Sequence, residues 1–120
     1  MLKKTIKYTD FDGVERNEEF YFNLSKTEVT EMELGVTGGM TQMLNRIVAA
    51  QDNAKIVEAF KEIILKAYGE KSPDGRRFVK SKELSDNFSY TGAYDTLFME
   101  LATNAESAAE FMKAILPKQE

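Results

Sequence analysis

The sequence predicts an α+β protein in which an amino-terminal β-hairpin packs on a bundle of about five helices. Residues 1–23 are rich in aromatic and β-branched residues around a turn sequence, which is typical of paired strands. From residue 24 the apolar residues recur at helical spacing instead. The length of 120 residues suits one core rather than two. We therefore predict a single domain over 1–120, with the hairpin in 1–23 and a helical part in 24–117.

The predicted hairpin consists of Leu2–Thr9 and Val14–Phe22, with a loop between them. A three-residue loop would pair Asp10 with Val14 and would let Gly13 supply a positive φ. It would also place the large apolar residues of both strands on one face, whereas a two-residue loop would divide them between two faces. We favour the three-residue loop, because the residues that must be buried together are Leu2, Ile6, Tyr8, Phe20 and Phe22.

Three helices are predicted between the hairpin and residue 70. Ser25 and Glu28 form an S-x-x-E capping box at the start of the first helix. A Gly-rich stretch, residues 35–39, follows this helix and is predicted to be a hinge. Apolar residues at helical spacing predict the other two helices. The three predicted helices cover residues 25–34, about 40–50 and about 53–69, and Gly35 and Gly69 end the first and the third.

Further helices are predicted in the carboxyl-terminal third of the chain. Ser81 is placed to cap a short helix, and Thr91 is placed to begin a longer one. Thr103 and Glu106 form a second capping-box pattern, T-x-x-E, which predicts that the last helix begins there. Pro117 should end that helix, because proline cannot continue its hydrogen-bonding pattern.

Cysteine and histidine, which serve in many active sites, are both absent. The chain therefore has no thiolate nucleophile, no imidazole base or metal ligand, and no disulfide. Any catalysis would depend on carboxylates, lysines, tyrosines or hydroxyls, which usually need burial or a charged partner to be tuned. We predict that the protein is not an enzyme and binds no cofactor or metal.

The absence of cysteine fits a reducing cytoplasm, and no feature of the sequence indicates secretion or a membrane. No apolar run approaches the roughly 18 residues needed to cross a bilayer. The amino terminus has no apolar segment of the kind found in signal peptides. The formal net charge is −4, whereas nucleic-acid-binding domains usually carry a basic field. We therefore expect neither a membrane nor a nucleic-acid partner.

A cluster of positive charge between residues 71 and 82 departs from this acidic background. Five of the chain's sixteen basic residues lie there: Lys71, Arg76, Arg77, Lys80 and Lys82. Within the cluster, Ser72-Pro73-Asp74-Gly75 is a type I turn sequence, and the glycine motifs of phosphate-binding loops are missing. We interpret the segment as a solvent-exposed connector between two helices. Arg76 and Arg77 are its candidate contacts to a protein partner.

Four apolar residues of the predicted helices are also candidate partner contacts. Met40 and Met43 begin a helix beside the Gly-rich hinge, and methionine adapts to irregular apolar partners. Met99 lies off the apolar stripe of its helix, and Leu65 is displaced in a similar way. Core filling is the more common role of methionines on an apolar stripe, and it stays open for Met40 and Met43 beside their role as partner contacts. We predict that Met99 and Leu65 contribute to an exposed apolar contact surface.

The extended sequence resembles a group of small proteins encoded among the tail genes of long-tailed bacteriophages of Gram-positive hosts. Two segments in the second half of the chain carry the resemblance, FKEIILKAYGEKSPDGRRFVKSKELSDNF and TGAYDTLFMELATNAESAAEFMKAILP. The amino-terminal segment YTDFDGVERNEEFYFNLSKTEVTEMEL fits the same group. Members of this group are phage tail assembly chaperones.

The resemblance implies a non-catalytic function and specific partners. A protein of this kind would bind the tape measure protein, keep it soluble, and help the major tail protein to assemble around it. It would act in the host bacterial cytoplasm and be absent from the mature virion. The resemblance leaves the oligomeric state open, including a homo-oligomer.

Two other functions are also compatible with the residues. A small phage regulator that docks on a host protein, and inhibits or modifies it, would need no catalytic residues either. Nucleic-acid binding through the basic cluster at 71–82 is a third interpretation, which the negative net charge disfavours.

Overall fold

The computed structural model describes residues 1–34 and 53–117. Within these ranges an antiparallel sheet of four strands, in the order β1-β2-β3-β4, is accompanied by five helices. The strands are β1 (Leu2–Thr9), β2 (Glu15–Phe22), β3 (Tyr68–Lys71) and β4 (Phe78–Val79). The helices are α1 (Lys26–Leu34), α2 (Asn53–Ala67), α3 (Lys82–Ser89), α4 (Gly92–Thr103) and α5 (Ala105–Ile115).

The predicted α+β class, with its amino-terminal hairpin and helical remainder, is confirmed. Three predictions lie outside the described residues: the helix at about 40–50, the hinge at 35–39, and the positions of Met40 and Met43.

The β1–β2 hairpin has the predicted register and loop. Leu2 pairs with Phe22 at one end of the hairpin and Thr9 pairs with Glu15 at the other. The Asp10 N–H donates to the Val14 carbonyl oxygen at 2.9 Å, so the loop between them has three residues. Gly13 has a φ of 82°, a conformation that glycine adopts without the steric cost of a Cβ.

The large apolar residues of the hairpin face the helices together, as the three-residue loop predicts. Ile6 and Phe22 are buried, and Phe20 packs against Phe88 of α3 with ring centroids 5.3 Å apart. Phe22 also meets Phe111 of α5 edge-on at 5.4 Å. The core between sheet and helices comprises Ile6, Phe22, Leu24, Ile63, Ile64, Ala67, Phe88, Ala93, Leu97, Leu101, Ala108, Phe111 and Ile115. The hairpin is therefore part of the core.

Strands β3 and β4 correct the interpretation of the basic segment as a connector between helices. Helix α2 ends at Ala67 rather than at Gly69, and the chain pairs at once with β2 through Tyr21 and Gly69. A Cβ at Gly69 would lie 2.8 Å from both the Phe78 ring and the Val79 carbonyl oxygen. Glycine is therefore required here for close packing of a hairpin, and not as a helix stop.

Three of the four predicted helix caps, those of Ser25, Ser81 and Thr91, are confirmed. The Ser25 N–H donates to Glu28 Oε1 at 3.0 Å, and the Glu28 N–H donates to Ser25 Oγ at 3.1 Å, which completes the capping box. Ser81 caps α3 and Thr91 caps α4, each accepting a backbone N–H on its hydroxyl oxygen. These hydroxyl and carboxylate groups satisfy backbone donors that a helix start leaves free.

The predicted capping box of Thr103 and Glu106 is wrong. Asn104 caps α5 instead, where its side-chain oxygen accepts the Ser107 N–H at 3.1 Å. Thr103 belongs to the last turn of α4, and its hydroxyl donates to the Met99 carbonyl oxygen at 2.6 Å. Since that hydroxyl already has a partner in its own helix, the next residue takes the capping position.

Candidate partner-binding surfaces

One residue of the predicted basic cluster, Lys80, has a structural role. Lys80 Nζ lies 2.8 and 2.7 Å from the two carboxylate oxygens of Glu28, and it also donates to the Asn23 carbonyl oxygen. The Lys80 and Glu28 side chains are only 21% and 25% exposed. This ion pair connects the residue that follows β4 to the first turn of α1.

The environment of the ion pair shifts both of its pKa values. Burial lowers the pKa of Lys80, and this effect outweighs the opposing attraction of Glu28. Burial acts to raise the pKa of Glu28, but the bonds from Lys80 and the Ser25 N–H outweigh it and lower that pKa. A carboxylate that accepts three such hydrogen bonds, two of them from one ammonium group, is held ionised at neutral pH. Nothing in the sequence alone separates Lys80 from its exposed neighbours.

Two other cations of the cluster also have neighbours within the chain. Lys71 Nζ lies 6.0 Å from the centroid of the Tyr21 ring. Lys82 pairs with Asp86 one helical turn away at 2.9 Å, on an exposed face where such a pair contributes little stability. Two of the five cations, Lys80 and Lys82, therefore already have a carboxylate partner within the chain.

Arg76 and Arg77 lie at the β3–β4 turn, and both are exposed. The Gly75 N–H donates to the Ser72 carbonyl oxygen at 2.9 Å, so the predicted turn is confirmed. The Asp74 carboxylate accepts the Arg76 N–H, and the Ser72 hydroxyl oxygen accepts the Arg77 N–H. The backbone is thus held in place, and neither guanidinium group forms an ion pair with any residue in the described ranges. Their contact with a partner stays a prediction.

The two apolar candidates in the described helices differ in exposure. Met99 is 51% exposed on α4, in agreement with its position off the apolar stripe. Leu65 is only partly exposed and packs against the core, contrary to the exposed position expected for it. Helix α3 lies against this side of α2, where the Ser85 hydroxyl donates to the Leu65 carbonyl oxygen at 2.9 Å. The apolar pattern of α2 alone could not show this contact with a neighbouring helix.

A groove that the sequence did not predict lies between the β1–β2 loop and the junction of α3 and α4. We call it the tip groove, and its volume is about 620 Å³. Its lining residues are Thr9, Phe11, Ser89, Tyr90, Thr91, Gly92, Tyr94, Asp95 and Thr96. The groove is large enough for one or two side chains of a partner, since ligand clefts start at about 300 Å³.

Two aromatic side chains of the tip groove are unusually exposed. Phe11 is 87% exposed and Tyr90 is 70% exposed, more than any other large apolar side chain in the described parts of the chain. Phe11 belongs to the turn that Asp10 organises, because the Asp10 carboxylate accepts the N–H groups of Asp12 and Val14. Exposed aromatic residues of this kind are enriched where proteins contact each other.

The tip groove has a defined floor and walls. Gly92 approaches the hairpin so closely that a Cβ there would lie 3.0 Å from the Thr9 carbonyl oxygen and 3.2 Å from the Tyr8 ring. Tyr94 packs edge-on against Phe88 of the core at 5.8 Å. The hairpin tip is therefore packed against α4, so that its aromatic residue stands opposite the α3–α4 junction.

A second cavity, of about 300 Å³, lies between β1 and the helices α4 and α5. Lys4 and Glu100 both line it and form an ion pair at 3.1 Å. Two of its three charged residues thus pair with each other, and its volume is about half that of the tip groove, so it is the weaker candidate.

Among residues 1–34 and 53–117, no group of three or more acidic side chains is placed to hold a metal ion. In the same ranges no helix is both long and apolar enough to cross a membrane.

The sequence model of the phage tail assembly chaperone family matches residues 1–119. The match covers almost all of the 120 residues. The chain belongs to the phage tail assembly chaperone family. This confirms the family that the sequence resembles, whereas the Gram-positive host stays a prediction. No curated protein and no solved structure matches the chain.

Membership of a tail assembly chaperone family implies protein partners in the phage tail. It also suggests a non-enzymatic role, because a chaperone acts by binding. The surfaces that bear on function are consequently those that can contact another protein. In this chaperone the tip groove combines exposed aromatic area with a closely packed frame, which favours it over the exposed arginines of the β3–β4 turn.

Proposed function

We propose that this chaperone binds the tape measure protein of its phage, keeps it soluble, and promotes assembly of the tail tube from the major tail protein. The tip groove makes the contact with the tape measure protein. The protein acts in the host bacterial cytoplasm and is absent from the mature virion. The observation that carries the proposal is an aromatic groove, exposed in the free chain, in a member of a tail assembly chaperone family.

The energetics of the groove support a reversible client interaction. Burying a large apolar side chain such as that of Phe11 contributes about 1.5–3 kcal/mol. Two such side chains would therefore supply a useful part of the binding free energy, although association itself has a large entropic cost. A chaperone that must release its client before the tail is complete needs affinity of this moderate kind.

The alternatives have less support from the described residues. Nucleic-acid binding would need several free cations on one face, yet Lys80 is tied to Glu28 and Lys82 to Asp86. Docking on a host protein would use similar exposed groups, but membership of a tail assembly chaperone family favours a partner in the phage tail.

Co-expression in bacteria tests the proposal. The tape measure protein encoded in the same phage genome is produced with and without a tagged copy of this chain. We expect the tape measure protein to be largely insoluble alone, and to become soluble and co-purify with the tagged chain. If its soluble fraction is unchanged and nothing co-purifies, the proposed function is wrong.

A further inference from the structure

The lining of the tip groove carries negative charge and no positive charge. Of its lining residues only Asp95 is charged, and its carboxylate is exposed. Asp95 lies close enough to Tyr94 to contribute to that residue's raised pKa, although burial of the phenol is the larger cause. The groove thus has an anionic group beside its aromatic walls.

Two cations on the elements that border the groove are paired within the chain. Arg16 Nε lies 2.6 Å from Asp10 Oδ2 below the hairpin tip, and Lys82 is paired with Asp86 on α3. In the described part of the chain, Asp95 forms no ion pair. The carboxylate that lines the tip groove is therefore available to a cation of a partner.

Exposed aromatic rings beside a free carboxylate suit a cationic side chain. A lysine ammonium or an arginine guanidinium is attracted to the face of an aromatic ring within about 6 Å of its centroid. Phe11 and Tyr90 offer such faces, and Asp95 offers the counter-charge. An acidic segment would instead meet Asp95 without compensation, and the net charge of −4 would oppose its approach.

We propose that the tip groove binds a lysine or arginine side chain within a basic amphipathic segment of the partner. The aliphatic stem of that side chain packs between Phe11 and Tyr90, and its charged end reaches Asp95. This inference rests on the proposed function, since it specifies the chemistry of the client segment that occupies the groove.

A matched pair of peptides tests the inference. Both are amphipathic helices of about 18 residues with the same apolar face, one with lysines and the other with glutamates on the polar face. Binding to the full chain is followed by changes in its ¹⁵N–¹H NMR spectrum. We expect the lysine peptide to bind at least about tenfold more tightly at low salt, and the preference to shrink at about 1 M NaCl. The shifted amides should include those of Phe11, Tyr90 and Gly92.

Two charge variants provide the control. Asp95→Asn should reduce the preference for the lysine peptide several-fold, because it removes the attraction between the Asp95 carboxylate and the lysines, which salt screens. Asp95→Lys should abolish the preference, because it replaces that attraction by repulsion. Glu106→Lys changes the charge equally in the first turn of α5, beyond the other end of α4, and should retain the preference. Using both Asp95 variants guards against a fold defect in either.

The results separate this inference from the proposed function. Equal binding of the two peptides, amide shifts away from the groove, or equal effects of Asp95→Lys and Glu106→Lys would overturn the basic-segment proposal. If the tape measure protein nevertheless co-purifies, the proposed function stands and only the chemistry assigned to the groove is wrong.

Discussion

Replacing Phe11 and Tyr90 together by serine is expected to reduce the tape measure protein that co-purifies with the chaperone by at least about tenfold. Both side chains line the tip groove and are 87% and 70% exposed in the free protein. Their removal takes apolar area from the interface and leaves the core intact. The double variant should therefore keep its far-ultraviolet circular dichroism spectrum while losing its client.

A matched double variant distinguishes the groove from exposed apolar surface in general. Val57 on α2 and Val79 on β4 are 42% and 47% exposed, and neither lines the groove. Val57→Ser/Val79→Ser should retain most of the co-purified tape measure protein. A comparable loss in both double variants would show that the chaperone binds its client through dispersed apolar surface rather than through the tip groove.

The second large effect is expected from Lys80→Met, which should lower the free energy of unfolding by about 2–3 kcal/mol. Methionine fills a similar volume but leaves Glu28 without its cation in a site that is only one quarter exposed. It also removes the bond to the Asn23 carbonyl oxygen, so the link between β4 and α1 is broken. Urea unfolding at neutral pH, followed by circular dichroism, measures the change.

Two further variants test this cause. Lys82→Met breaks an exposed pair and should change the stability by less than about 1 kcal/mol. Adding Glu28→Gln to Lys80→Met should recover much of the loss, because glutamine is neutral and can still accept the Ser25 N–H in the capping box. If Lys80→Met were no more destabilising than Lys82→Met, the structural role assigned to Lys80 would be refuted.

Local sequence patterns were enough to predict the β1–β2 hairpin and most helix starts. The register of the β1–β2 hairpin follows from the alternation of side chains between the two faces of a strand, because a shift of one residue would move Ile6 to the opposite face. The capping box of Ser25 and Glu28 follows from a four-residue pattern. In each case the deciding interaction lies within one element or one turn.

The β3–β4 hairpin depends on a contact between distant segments. Tyr68–Lys71 is short and contains one large apolar residue, so no period of two could identify it as a strand. It becomes a strand because Tyr68 stacks on Phe88 at 4.2 Å and its backbone pairs with β2. Tertiary packing thus overrode the local indication that Gly69 ends a helix.

The candidate site was only partly predictable for the same reason. The sequence correctly placed Phe11 in a turn, but it could not show that this turn stands opposite Tyr90. A signal was present, since a large aromatic residue at the tip of a turn has little to gain from packing and is often a contact residue. Conversely, the charge count suggested Lys80 as a surface residue, whereas the fold pairs it with Glu28.

Contact between the tip groove and the client is central to the proposed function, and hydrogen exchange of the complex tests it most directly. Backbone amides of the chaperone are compared with and without bound tape measure protein. We predict slower exchange at residues 9–12 and 89–96, which border the groove, and unchanged exchange at the β3–β4 turn, residues 73–77. The proposed contact would be contradicted if exchange slowed at the β3–β4 turn and stayed unchanged at the groove. That result would favour Arg76 and Arg77 as the client contacts.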